Sequence, residues 1–230
     1  MKKKISVLIL IFGLLFAFTS CEEEETPFIP DPVEIDTDME DDDEQTADIV
    51  YEVGDVGPAG GIVFLDKGEE SDGWRYMEIA PFDIELGLQF GCLTLEIEEA
   101  QNFEVGFGLV NSLAILEAHN ELEDYYTNPE QCSDFNDGTV AAKVCLEYEL
   151  NDFDDWFLPS QDELLLVHAA YYEVGLGEFN LERLYWTSSE FNESGAVMVD
   201  FAKSPDEGHF GIGGKNFGGE ISVTRPIRYF

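Results

Sequence analysis

The chain has 230 residues, with 11 Lys+Arg against 50 Asp+Glu, a formal net charge of −39, 44% hydrophobic and 13% aromatic content. That apolar content excludes wholesale disorder, and the length suits one ordinary domain with tails. The charge excludes a nucleic-acid backbone or an anionic membrane surface as the main partner, because both need Lys and Arg to displace counterions.

Residues 1–20 carry Lys2, Lys3 and Lys4, then an uncharged apolar run over 5–18. A basic start, a short apolar stretch and small residues before a break describe a secretory signal peptide. The run is too short for a permanent span. Phe18-Thr19-Ser20-Cys21 resembles a bacterial lipobox, although Leu is usual where Phe18 stands. Cys21 is then the lipid-attachment residue, and outer-membrane lipid is a partner through it. The alternative is an ordinary signal peptide followed by a chance Cys. Residues 21–48 hold 14 acids and no base. With Pro27, Pro30 and Pro32, 21–49 reads as a disordered, self-repelling tether. Glu22 to Glu25, directly behind Cys21, resemble the surface-export signal of some outer-membrane lipoproteins. A plain solvated spacer is the simpler reading, and both can hold.

Residues 50–230 form the expected head. A Gly-Pro turn precedes a short strand over 62–65, and Asp72-Gly73 turns into a second over 74–79. Leu109, Leu113 and Leu116 recur at helical spacing. A second helix is expected over 139–150, with Thr139 as its cap. Ser160 and Glu163 form a capping box that opens a third. Beyond Gly177 the texture becomes β-branched and aromatic, with strands expected over 185–189, 196–202 and 221–230. Gly211-Ile212-Gly213-Gly214 reads as a hairpin turn between strands. With strands at both ends and helices between, the fold class is α+β, the helices lying on one side of a largely antiparallel sheet.

Five motifs carry a resemblance. They are Gly54-Asp55-Val56-Gly57-Pro58-Ala59-Gly60-Gly61 with Ile62-Val63-Phe64, Gly73-Trp74-Arg75-Tyr76-Met77-Glu78, Asp154-Asp155-Trp156-Phe157-Leu158-Pro159-Ser160 with Glu163-Leu164, Tyr185-Trp186-Thr187-Ser188-Ser189-Glu190, and Arg225-Pro226-Ile227-Arg228. In this order they resemble the Lcl C-terminal domain family, the terminal module of a collagen-like bacterial adhesin and of many secreted lipoproteins. The resemblance covers nearly all of 54–230 and implies a C-type-lectin-like fold with its N- and C-terminal strands paired. The motif residues themselves read as architectural. Trp74, Trp156 and Trp186 suit core corners, Asp154 and Asp155 suit turn amides, and Arg225 and Arg228 suit carboxylate partners in so acidic a domain.

With Cys21 lipidated, Cys92, Cys132 and Cys145 leave one disulfide and one free thiol. Cys132–Cys145 closes the shortest loop, and Cys92–Cys132 is the runner-up. No zinc spacing is present. His119, His168 and His209 lie in no nucleophile or metal motif, and His168 reads as a packed helix residue. No hydrolase, metalloprotease or phosphate-loop motif occurs, so no enzyme activity is expected. No cofactor is assigned. Calcium stays open, because Glu190, Asn192 and Glu193, and then Asp206, fall where a lectin-like loop would present oxygen ligands. A solvated acidic loop is the plainer reading. The expectation is a lipid-anchored outer-membrane module, exposed at the cell surface, that binds a glycan or a surface protein. Its rival is a structural envelope component, which would show a flat apolar patch or an open edge strand.

Overall fold

The computed structural model describes residues 49–219 and 221–230. The signal, Cys21 and all but the last residue of the tether lie outside them.

The head is α+β with two sheets. β1 (Ile62–Ser71) and β2 (Trp74–Ile79) form a hairpin, and β8 (Ile227–Tyr229) adds to β2 to complete a three-stranded antiparallel sheet. The second sheet runs in the order β3 (Ile84–Leu86), β7 (Ser222–Thr224), β4 (Leu184–Asn192), β5 (Gly195–Asp200) and β6 (Phe210–Gly214). β4 and β7 are parallel, and the other pairs in that sheet are antiparallel. The expected single sheet is therefore two. The terminal strand pairs with the second strand of the opening hairpin, not the first.

Three α-helices fill the middle of the chain: α1 (Gly108–Glu121), α2 (Ala141–Leu146) and α3 (Gln161–Val174). α3 begins as its sequence requires. Ser160 accepts from the Glu163 amide, Glu163 reaches back to the Ser160 amide, and Gly175 closes the helix at φ 73°. Leu164, Val167 and His168 form its buried stripe. α2 stops at Leu146, short of the expected 150, and Val140 is its cap residue. Thr139 instead bonds Asp137 and receives the Gln89 amide, so its hydroxyl is used across the fold.

α1 forms where the leucine spacing predicts a helix, and Leu109 packs on the core, but its fully buried stripe is largely polar. Its buried stripe is Asn111, Ser112, Ile115 and His119, while Leu113 is half exposed. The buried polar groups are satisfied. Ser112 Oγ bridges the Leu158 amide and carbonyl, Asn111 donates to Asn102 O, and His119 Nδ1 lies 2.7 Å from Ile115 O while its Nε2 accepts from Cys92 N.

The motif residues hold the layers together. Glu78 is fully buried and accepts from the Ala59 and Gly61 amides and from Arg228, which also grips Asp155. A Cβ at Gly57 or Gly61 would strike the Glu78 carboxylate, which is why the opening turn is so rich in glycine. Arg225 pairs with Asp83. Phe157 and Ile227 exchange backbone bonds, Pro159 O receives the Ser188 amide, and Glu163 accepts the Tyr229 hydroxyl. The Asp-Trp-Phe-Leu-Pro-Ser block thus joins β8, β4 and the start of α3. Trp156 and Trp186 are fully buried. Trp74 is half-buried and stacks on Tyr229.

The disulfide is Cys92–Cys132, with Cα atoms 5.3 Å apart, and Cys145 is a buried free thiol. The shortest-loop preference for Cys132–Cys145 is overturned. Cys145 sits on the inner face of α2 within the core, where burial pushes its thiol up, whereas Cys132 is turned towards the Cys92 loop.

Candidate functional site

β6 is the outer strand of the five-stranded sheet. The glycine run read as a turn is therefore a strand, and packing explains the glycine at 213. Gly213 lies over Met198 and Trp186, and a Cβ there would come within 2.5 Å of the Met198 sulfur. Only a bare backbone lets β6 lie so close to the core.

Its hydrogen bonding fixes what it offers outward. The Asp200 amide donates to His209 O, and the Lys215 amide donates to Ser194 O. Antiparallel alternation then directs the backbone groups of Gly211 and Gly213 to β5, and those of Phe210, Ile212 and Gly214 away from it. Gly214 O is taken by the Phe217 amide. Phe210 and Ile212 keep free donors and acceptors among the described residues. Their side chains are half exposed, at 50% and 51%.

Lys215 pins the strand where it ends. Its ammonium lies 2.7 Å from Glu190 of β4, and neither side chain reaches solvent. It also donates to Leu95 O, while Glu190 accepts from the Ile97 amide. Burial pushes the Glu190 carboxyl up and the Lys215 ammonium down from their ordinary values, and the contact pulls each back. The pair fixes β6 to β4 and to the loop after the disulfide.

A cleft of about 180 Å³ runs beside β6, lined by Leu184, Met198, His209, Phe210, Ile212 and Phe217 among others, with Asp200 and Lys203 on its rim. His209 stacks on His168 with ring centroids 4.2 Å apart, and His168 Nε2 meets Lys203 O. Burial lowers the His168 pKa. The Nδ1 of His209 is buried without a partner among the described residues.

The residues assigned from sequence fall elsewhere. Glu190 is not in a loop: it is buried inside β4 and committed to Lys215. Asn192 ends β4, and its side chain accepts from Ser194 and Gly195 within the hairpin turn. Glu193 is exposed in that turn, and Asp206 lies in the short turn Pro205–Glu207. The four do not converge. Among the described residues no group of three or more His, Cys, Asp or Glu side chains is placed to hold a metal ion. No helix among them is long and apolar enough to cross a membrane. The β6 edge was missed because its glycines signal a turn. Alternation of Phe210 and Ile212 with glycine was the available sign of a strand.

No protein-family model matches the chain, and no curated protein matches it. Among solved structures it is similar to a fimbrial protein from Bacteroides ovatus, at 14% identity and a TM-score of 0.39 over 69% of this chain. The match spans about a third of that protein's length, 36%.

Proposed function

We propose that the chain is a lipid-anchored protein of the bacterial outer membrane, exposed at the cell surface, whose head binds a polypeptide partner by accepting a strand at β6. The observation that carries this is the open edge of β6, the mark expected of an assembly component, which makes the partner a polypeptide: free backbone groups at Phe210 and Ile212, with half-exposed apolar side chains and a cleft beside them. Strand addition takes its affinity from such main-chain groups and its selectivity from alternate side chains. The lipobox-like Cys21 and the acidic tether support the anchor and the location. Residues 49–230 hold 36 acids against 8 bases, a net −28, which favours a cationic or neutral partner over a sulfated or uronate-rich polysaccharide. The Lcl resemblance supports a C-type-lectin-like head, with the terminal strand joined to the opening hairpin through β2 in place of β1. The role is binding, without catalysis.

A second reading, a neutral glycan in the cleft, is favoured by Phe217, 47% exposed beside the polar rim. One variant separates the two. Ile212→Pro removes an outward amide that β5 does not use, so the fold tolerates it while strand addition is blocked. Mature chain is screened against a library of extended peptides and a panel of neutral glycans. The strand reading expects peptide binders that are lost with Ile212→Pro. Glycan binders that survive Ile212→Pro and are lost with Phe217→Ala would replace it with the sugar reading.

A further inference from the structure

α1 turns Asn111, Ser112 and His119 inward and leaves Val110 and Leu113 each 50% exposed. Beside them a groove of about 550 Å³ lies between α1 and residues 95–99. Leu95, Ile97, Ala114, Ala118 and Leu122 supply its apolar lining. Its remaining lining residues are Glu96, Glu99, Glu117 and Glu121, all exposed.

These carboxylates are largely unpaired, with only Glu96 feeling the Lys215 ammonium at long range. None forms an ion pair among the described residues. No Lys or Arg occurs between Arg75 and Lys143. Glu117 and Glu121 are four residues apart on α1, where like charges repel, and Glu121 ends the helix, where the dipole is already negative. The nearby cation, Lys215, is buried and committed to Glu190.

We infer that this groove is a docking site for a cationic amphipathic helix of another polypeptide. Its apolar stripe enters between Leu95 and Ala118, and its Lys or Arg side chains meet Glu96 and Glu99 on one side and Glu117 and Glu121 on the other. Ala114 and Ala118, one turn apart, let a second helix approach α1 closely. The apolar lining selects amphipathic partners over merely basic ones, and the acidic rim selects cationic over anionic ones. The site lies apart from the β6 edge, although Lys215 at the end of β6 also holds Leu95 of the groove wall.

The test uses the mature chain and a synthetic 14-residue Leu/Lys amphipathic helix, with a Leu/Glu helix of the same pattern as control, by calorimetry at physiological salt. The expected result is one helix bound per chain, no binding of the Leu/Glu helix, and affinity lowered tenfold or more by Glu117→Lys with Glu121→Lys. Glu69→Lys with Glu70→Lys makes the same charge change on the exposed end of β1 and is expected to leave affinity within about threefold. Equal weakening by both double variants, several helices bound per chain, or no binding would overturn the inference. Circular dichroism of each variant confirms that it is folded, and all four positions are exposed.

Discussion

Lys215 and Glu190 meet 2.7 Å apart with neither side chain reaching solvent, and through them the first residue beyond β6 is tied to β4. The contact gives an otherwise glycine-rich edge strand a fixed position. Removing one partner strands a buried charge, so Lys215→Met or Glu190→Gln is expected to destabilise the chain by about 3–5 kcal/mol. Replacing both by apolar residues of similar size should recover much of that. Urea unfolding of the three variants checks it: single losses below 1 kcal/mol would mean the pair does not anchor the strand.

The Cys92–Cys132 bridge closes a separation of 40 residues, and loop-closure entropy on that scale corresponds to about 4 kcal/mol. Cys92→Ser with Cys132→Ser is expected to lower stability by about 2–4 kcal/mol. In the native chain Cys145 should resist alkylation until the chain unfolds, as a fully buried thiol does. Urea unfolding reads the stability loss, and peptide mass mapping without reduction reads the pairing and the alkylation; a Cys132–Cys145 peptide would contradict the assignment.

His119 bonds as a neutral ring, its Nε2 accepting from the Cys92 amide. Burial lowers its pKa from 6.5 to about 4. A folded pKa below the unfolded one contributes stability that is fully present above about pH 6.5 and is lost as pH falls towards 4. For His119 that amounts to about 3 kcal/mol. Glu163 has the opposite sign, because burial raises its carboxyl and its contribution is lost as pH rises. The difference between the wild type and His119→Gln isolates the histidine. Its stability advantage should shrink between pH 6.5 and 4, and the ring should titrate near pH 4 by NMR. A titration near 6.5 would contradict the buried hydrogen bond.

Gly213 lies against Met198 and Trp186 with no room for a Cβ. Gly213→Val is expected to destabilise by about 1–3 kcal/mol, the usual range for an overpacked core. Gly211→Val, two residues along the same strand where a Cβ meets nothing within 4 Å, carries no such clash and is expected to cost less. Equal losses would mean that close packing does not explain the glycine at 213.

Where local chemistry decided the structure, the residues were readable. Ser160 and Glu163 capped α3 as written, and Arg225 and Arg228 found carboxylates. Where long-range packing decided it, they were not. The buried face of α1 is polar because Leu158, Asn102 and Cys92 offer it backbone partners from elsewhere in the chain. Glu190 looked like a loop ligand because its partner lies 25 residues on and is buried with it. The bridge joins the more distant Cys92 because Cys145 is held inside the core.

The central claim is that β6 presents a free edge, and amide-resolved hydrogen exchange of the mature chain tests it most directly. The expected result alternates: slow exchange at Gly211 and Gly213, which bond to β5, and fast exchange at Phe210 and Ile212, which then become protected when a library-selected peptide strand binds. Slow exchange at Phe210 and Ile212 in the chain alone, or no change there on binding, would contradict the account.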